Sequence, residues 1–412
     1  MYLDKEYKFS ILYPTRNRPQ FLNLCLNSVL NFTHSDFEII ISDNSEDKSA
    51  EPIYNLFKGD SRFKYYWTGG NFSMLENYNF AINQVSGDYT IAMTDKSFLH
   101  PNSLKIINKI LQAGYDFISW SDSGFKFDNE HHDSLTGYTY NRPINNSLDI
   151  FNSKHFLEEI LQFKVHRKYH HTNIWKGKIL FGAAKSELIN RCKINNQFFQ
   201  NYAPDYTTRV SLLLMANTTA HSSLPLQCTL NSTLSNGDLC AFYPVHAYAF
   251  FKSGDNLKDV KNFPIPDLYV SQQNHVAGDM IKMVKLFNKE IVINYPNLHK
   301  TILEDMVYIR FSSLKEAWFH YKILFRFFWM NYKSKIALYL FIIILKYIKR
   351  IAKSVKHKLA VTLGTFFPNL VEKLRIKFEK NATPKIYFQD AIAASKYVDS
   401  KNLIAFYDSK SK

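Results

Sequence analysis

The 412-residue chain predicts an α/β fold, a mostly parallel, doubly wound sheet followed by a mostly helical, basic C-terminal region. Three observations predict it. Short apolar runs of strand length alternate with stretches of helical spacing through residues 8–120. The composition is globular, at 46% hydrophobic, 16% aromatic and 21% charged, which excludes a disordered or collagenous chain. The charge is uneven: residues 301–380 hold 16 Lys/Arg against 5 Asp/Glu, most of the net +15 of the whole chain.

Residues 8–13 read as a strand closed by Pro14. Residues 18–30 follow as a helix, with Phe21, Leu22, Cys25, Leu26, Val29 and Leu30 at helical spacing. Residues 37–42 form a second strand, ending in the polar turn Asp43-Asn44-Ser45-Glu46-Asp47. A helix over 50–58, a strand over 62–67 and a helix over 73–85 come next. A strand over 89–93, a helix over 101–112 opened by Pro101 and a strand over 115–120 complete the alternation. Residues 121–240 are less regular, with a helix expected at 186–193, and 241–335 read as largely helical. The expected division is 1–240 as the α/β domain, 241–300 as a helical connecting region and 301–412 as a basic amphipathic region.

Several function classes are disfavoured. No GxGxxG follows the first strand and no GxxxxGK[ST] occurs there, against a dinucleotide oxidoreductase or P-loop NTPase. Cys25, Cys192, Cys228 and Cys240 lack metal or disulfide spacing, which fits reduced thiols in a cytosolic protein. The N-terminus carries no basic and apolar leader, so the α/β domain is expected in the cytosol. His166 and His170 stand at i, i+4 spacing, as metal ligands or, more commonly, as loop residues; the same holds for His131, His132 and His171. Ser235-Asn236-Gly237 reads as a turn.

The basic region favours a membrane surface over nucleic acid. Residues 336–345 (IALYLFIIIL) are too short to span a bilayer, which takes about 20 residues. Residues 321–330 mix aromatic residues with Lys322 and Arg326, and Lys346, Lys349, Arg350, Lys353, Lys356 and Lys358 follow. Greasy stems beside cations suit an interfacial helix on anionic lipid. A buried helix with a solvated basic face, or a re-entrant or spanning segment, stays open as an alternative.

In a doubly wound sheet, ligands sit beyond the carboxyl ends of the strands. The polar residues there are Pro14-Thr15-Arg16-Asn17-Arg18, Asp43-Asn44 and Thr94-Asp95-Lys96. At this point the sequence resembles the family 2 glycosyltransferases of GT-A fold. Tyr13-Pro14-Thr15-Arg16-Asn17-Arg18-Pro19 is similar to their P-T-x-N-R strand end, and Ser42-Asp43-Asn44-Ser45 to their D-[DN]-x-S. Glu76-Asn77-Tyr78-Asn79, Gly87-Asp88-Tyr89 and Asp95-Lys96-Ser97-Phe98-Leu99-His100-Pro101 continue the match. Ala203-Pro204-Asp205-Tyr206 stands where members carry a catalytic Asp before a helix. Each motif is short; their order over residues 8–237 carries the resemblance.

What the resemblance implies is a nucleotide-sugar pocket, UDP being the expected nucleotide. Asp43 would accept from the base, with an Asx turn as its structural alternative. Pro14, Thr15, Arg16 and Asn44 would line the pocket, and Asn17 and Arg18 would hold the loop or reach phosphate, or else open the helix. Asn77 is a nucleotide contact or a surface polar residue. Asp95 matches the acid that meets ribose or metal. The sequence departs from the pattern at Lys96 and Ser97, where members carry carboxylates. A single Asp makes a poor Mn2+ or Mg2+ site, and Lys96 offers a fixed cation to the leaving diphosphate. Asp205 is the candidate base of an inverting transfer, or a helix cap, or both.

The implied protein is a glycosyltransferase on the inner membrane face that glycosylates a membrane-associated glycan or lipid-linked acceptor. The resemblance points to a bacterial capsule, lipopolysaccharide or related pathway. The alternatives are a catalytically inactive scaffold of GT-A type, which Lys96 and Ser97 support, and a metal-dependent nucleotidyltransferase.

Overall fold

The computed structural model describes residues 5–128, 135–164, 174–200, 203–231, 236–253, 257–333 and 384–408. The histidines at 131, 132, 166, 170 and 171, Ser235, the 336–345 run and the lysines after it lie outside the described residues.

The first strand sets the frame. β1 (Phe9–Thr15) is buried at all seven positions and lies between β2 (Phe37–Asp43) and β4 (Tyr89–Ala92), parallel to both. A strand covered on both faces needs a near-continuous apolar run, and FSILYPT supplies one. Alternation sorts its side chains. Phe9, Ile11 and Tyr13 enter one core with Phe21, Leu22, Cys25 and Leu26 of α1 (Pro19–Val29) and with α4 (Ser103–Leu111). Leu12 enters the opposite core with α3 (Met74–Ile82), α6 (Ser186–Cys192) and Leu212 of α7 (Pro204–Met215). β3 (Phe63–Trp67) extends the parallel set beyond β2, and the short α2 (Glu51–Asn55) leads into it. Pro101 lies two residues ahead of α4, whose cap is Asn102.

The mostly parallel expectation holds for this half and fails for the other. The sheet runs β12-β8-β7-β11-β6-β10-β4-β1-β2-β3 and is mixed. β10 (Gly182–Lys185) is antiparallel to both β4 and β6 (Phe117–Asp122), so β6 again ends on the carboxyl edge of β1. The long β11 (Thr219–Asn231) runs parallel to β6 and collects β5 (Ser97–Leu99), β7 (Phe125–Phe127) and β9 (Leu148–Phe151). β8 (Gly137–Tyr140) pairs with β7. These strands are three or four residues long, too short to show a period in sequence.

A helical layer stands behind the sheet. α5 (Ser153–Leu161), α10 (Gln272–Leu286), α11 (Tyr295–Met306) and α12 (Leu314–Tyr332) share one core with Val210 and Leu213 of α7. α7 is therefore wedged between layers, with Leu212 on the sheet side. α8 (Asn236–Phe242) and α9 (Pro244–Ser253) precede this layer.

The last described residues return to the sheet. β12 (Lys385–Phe388) pairs antiparallel with β8. α13 (Ala391–Asp408) puts Ala391, Ala394 and Phe406 into the core beside α1. Asp399 accepts from the Asn102 backbone N–H at 3.0 Å and from its amide at 2.7 Å. Small residues let this helix approach closely, so it carries no long apolar stripe for a sequence reading to find. Among the described residues, no helix is long and apolar enough to cross a membrane.

Candidate active site

The loops after β1 and β2 are locked together. Pro14 is still within β1, in register with Ser42. Asn17 adopts φ 55°, a left-handed conformation that Asn tolerates, and its N–H donates to Ser45 Oγ at 2.9 Å. Pro19 then opens α1. Asp43 is fully buried, and its carboxylate accepts from Ser45 N–H at 2.9 Å, Ala50 N–H at 3.1 Å and Tyr65 O–H at 2.9 Å. Asn44 binds the 68–72 loop through Thr68 Oγ1 (2.9 Å), Phe72 N–H (3.1 Å) and Phe72 C=O (2.6 Å). Gly70 in that loop has φ 77°, and a Cβ there would stand 2.9 Å from Glu46 Cα, so the two loops close only with glycine. Asn77 is buried, and its amide donates to Ser42 C=O at 3.1 Å and Thr15 C=O at 3.4 Å. It clamps the ends of β1 and β2 and is not a surface residue.

The cations stand above this clamp. Arg16 is half exposed and faces Glu46 at 3.4 Å. Arg18 reaches Asp95 at 3.4 Å. Asp95 is buried and also accepts from Thr15 Oγ1 at 3.1 Å. Burial pushes its acidity range upward, against the pull of Arg18, Thr15 and Lys96. Lys96 is fixed through its C=O, which accepts from Leu230 N–H of β11 at 2.7 Å. A divalent ion bound to Asp95 would share that carboxylate with Arg18 and Lys96. Among the described residues, no group of three His, Cys, Asp or Glu could hold a metal. A single carboxylate already paired with Arg18 is a poor start for a Mn2+ or Mg2+ site.

Asp205 is the second residue of α7, whose cap is Ala203. Its Oδ2 pairs with Lys178 Nζ at 2.9 Å, so the side chain is held by an ion pair, which corrects the capping alternative. Asp279 of α10 accepts from Ala203 N–H at 2.9 Å and anchors the start of α7 from the helical layer. Lys178 is buried and lies 3.9 Å from the Tyr206 ring centroid. Burial pulls its range down, but Asp205 and then Tyr206 outweigh this and raise it. Burial first, then the Asp95 and Asp205 charges, push the Tyr78 phenol upward, with Arg18 opposing. The Tyr78 O–H donates to Met93 C=O at 3.4 Å, two residues ahead of Asp95.

Lys178 and Asp122 are the residues missing from the sequence reading. Both left a signal. Lys178 stands in front of an apolar run, ILF, where a buried lysine needs a counter-ion. Asp122 ends β6 on the same edge as Asp43 and Asp95.

Residues 10–170 match the family model described as Glycosyl transferase family 2. This segment is a family 2 glycosyltransferase domain. A GalNAc(5)-diNAcBac-PP-undecaprenol beta-1,3-glucosyltransferase of Campylobacter jejuni is 33% identical over 114 residues, 26% of this chain and 36% of that protein. An uncharacterized glycosyltransferase of Haemophilus influenzae is 33% identical over 105 residues, 25% of this chain and 42% of that protein. The chain thus spans about two fifths of the length of these curated relatives. Among solved structures, S. aureus TarS 1-349 in complex with UDP-GlcNAc aligns at TM-score 0.41 and 14% identity, over 74% of this chain and 82% of that one. The family 2 segment contains every candidate residue above except Lys178 and Asp205, which lie beyond it.

Proposed function

We propose that this protein transfers a sugar from a nucleotide-sugar donor, expected to be UDP-linked, to a hydroxyl of a glycan or lipid-linked acceptor. The observation that supports the proposal is the pair of fixed acids in the family motifs: Asp95 held by Arg18 at 3.4 Å at the carboxyl edge of the sheet, and Asp205 held by Lys178 at 2.9 Å at the start of α7. On this reading the nucleotide-side motifs and the candidate base serve one site. Arg18 and Lys96 face the diphosphate and neutralise its charge as it leaves. Asp205, oriented by Lys178, takes the acceptor proton while the hydroxyl oxygen attacks the anomeric carbon from the side opposite the leaving group, an inverting displacement. The lipid-linked substrate named for the Campylobacter relative supports an acceptor of that class.

The test is release of UDP from a panel of UDP-sugars in the presence of polyprenyl-diphosphate glycans. Asp205→Asn is expected to lower turnover by about 10²–10⁴-fold while UDP still stabilises the protein. Stabilisation by UDP with no turnover in the wild type would favour the inactive scaffold.

We also propose that α12 rests on the inner membrane face. Trp318 (72% exposed), Phe325 (51%), Trp329 (49%) and Met330 (65%) leave an aromatic face uncovered, and Lys315, Lys322, Arg326 and Lys333 interleave with it. Such a face supports an interfacial helix on anionic lipid. Trp318→Glu with Trp329→Glu is expected to abolish sedimentation with phosphatidylglycerol vesicles; unchanged sedimentation removes α12 from the membrane reading.

A further inference from the structure

A second cleft opens on the carboxyl edge at the end of β6. β11 creates it. The register of β11 against β6 shifts between Ser222 and Pro225 and again between Pro225 and Gln227. Proline has no N–H for the ladder and is tolerated at a bulge. The parted strands leave a cleft of about 170 Å³ that residues 140–144 and α13 close over. Asp122, Arg142, Tyr140, Trp175, Tyr397 and Lys401 line it. Lys401 Nζ and Tyr397 O–H both donate to Asn141 Oδ1, at 2.6 and 3.3 Å, so this wall is preorganised. Asp122 Oδ1 is buried and has no hydrogen-bond partner among the described residues.

We infer that this cleft is a carbohydrate subsite, holding one neutral pyranose unit of the acceptor; the inference rests on the transfer reading above. Three properties select a sugar. The volume is below the ~300–1,000 Å³ of ordinary small-molecule pockets, which suits a single ring and not a nucleotide. Trp175, Tyr140 and Tyr397 line the cleft with aromatic rings suited to the C–H side of a pyranose, and Arg142 and Lys401 stand over the Tyr140 and Tyr397 rings at 5.5 and 4.8 Å. Asp122 accepts from ring hydroxyls while Arg142 and Lys401 donate to them; a phosphate would meet the Asp122 carboxylate.

Hydrogen bonds link the cleft to the proposed reaction centre on both flanks. Trp175 C=O accepts from Lys178 N–H at 3.0 Å, and Lys178 holds Asp205 at 2.9 Å. On the other flank Ser123 Oγ lies 3.4 Å from His100 Nε2, where β5 leads back to Lys96 and Asp95. Through Trp175 and Lys178 the cleft is thus linked to the candidate base, and through His100 and β5 to the Asp95 loop.

The test is saturation-transfer NMR on the full chain with methyl β-glycosides of glucose, galactose, N-acetylglucosamine and N-acetylgalactosamine, with and without UDP, and thermal denaturation with UDP in parallel. Saturation of at least one glycoside is expected and should survive saturating UDP. Trp175→Ala and Asp122→Ala should each weaken that glycoside roughly tenfold while the UDP-induced rise in Tm stays. If Trp175→Ala fails to fold, Trp175→Phe and Lys401→Ala carry the same comparison. Four results overturn the inference: no glycoside is saturated, UDP removes the signal, folded variants keep it in full, or the saturation depends on Trp175 in a wild type that UDP does not stabilise. The last of these sinks the transfer reading together with the acceptor assignment, whereas the first three leave that reading standing.

Discussion

At the ends of β1 and β2 the polar side chains are committed to the protein itself. Asp43 takes three donors, Asn44 closes the 68–72 loop and Asn77 ties two strand ends together. Glu38, at the opposite end of β2, is treated in the same way: it accepts from Ser10, from Lys64 at 2.6 Å and from Ser86 N–H at 2.6 Å. Across β10, at the end of β6, Asp122 has an oxygen without a partner among the described residues. The first edge is a rigid frame that offers a ligand its backbone and its cations. The second edge keeps hydrogen-bonding capacity in reserve. A frame of this kind holds Arg18 and Asp95 in a fixed arrangement, the preorganisation that the proposed transfer would call on.

The contrast is most easily broken at Glu38. Burial alone would raise its range, but Lys64, Ser10 and Ser86 together lower it to about 2. A carboxylate whose folded value is depressed contributes stability above its unfolded value, near 4.3, and loses it as pH falls through about 2. Glu38→Gln should therefore cost about 2–3 kcal/mol at pH 7, because Ser10, Ser86 and Lys64 lose a charged acceptor. The deficit should shrink as pH falls from 5 toward 2.5. Urea denaturation of both proteins at pH 7, 4 and 2.5 reads this; a deficit that stays constant with pH would mean that Glu38 acts by packing and not by charge.

Asp122 should behave in the opposite sense. Burial pushes its value up to about 7, with Thr229, Gly124, and Arg142 pulling the other way. A raised folded value means that the native state holds a proton that the unfolded chain releases. Stability is then lost as pH rises between about 4 and 7. Asp122→Asn removes the charge, so the variant should gain roughly 1 kcal/mol on the wild type at pH 8 relative to pH 5. Chemical denaturation at the two pH values checks it. An equal difference at both would mean that Asp122 is already satisfied, and the two edges would no longer differ.

The parallel half was legible because its elements are long and periodic: β1, α1, β2 and α3 each lie within a few residues of their expected bounds. The antiparallel half was not. β5, β7 and β9 take their identity from β11, and β11 is bent by Pro225 in a way no local pattern announces. The same division runs through the site. Asp95 and Asp205 could be named because they stand in motifs, yet the structure gives Asn77 a clamp's contacts where sequence allowed a ligand or a surface position. Lys178 could be paired with Asp205 only by the fold, since 27 positions separate them. α13 joins the sheet by small residues, Ala391 and Ala394, whose packing depends on close approach and not on hydrophobic contrast.

The finest discrimination between frame and ligand contact comes from Arg16 and Asn77, which stand on the same edge. The Arg16–Glu46 pair is 3.4 Å long, with side chains 49% and 78% exposed. Exposed pairs of this kind add at most about 0.5–1 kcal/mol and often nothing, so Arg16→Ala should leave Tm nearly unchanged. Asn77→Ala removes a buried amide that holds two backbone carbonyls, and should cost about 1–3 kcal/mol. Nucleotide affinity should order the two variants differently. If Arg16 meets the diphosphate, a charge-assisted bond worth about 1.5–3 kcal/mol is lost, and UDP affinity falls roughly tenfold or more in a protein of wild-type stability. Asn77→Ala should weaken UDP only as far as the loosened strand ends let the 15–18 loop drift. Calorimetric titration of UDP into both variants decides it. Equal affinity for Arg16→Ala and wild type would move the phosphate contact to Arg18 and Lys96, and the exposed cation at the rim would then be solvent-facing surface and no part of the site.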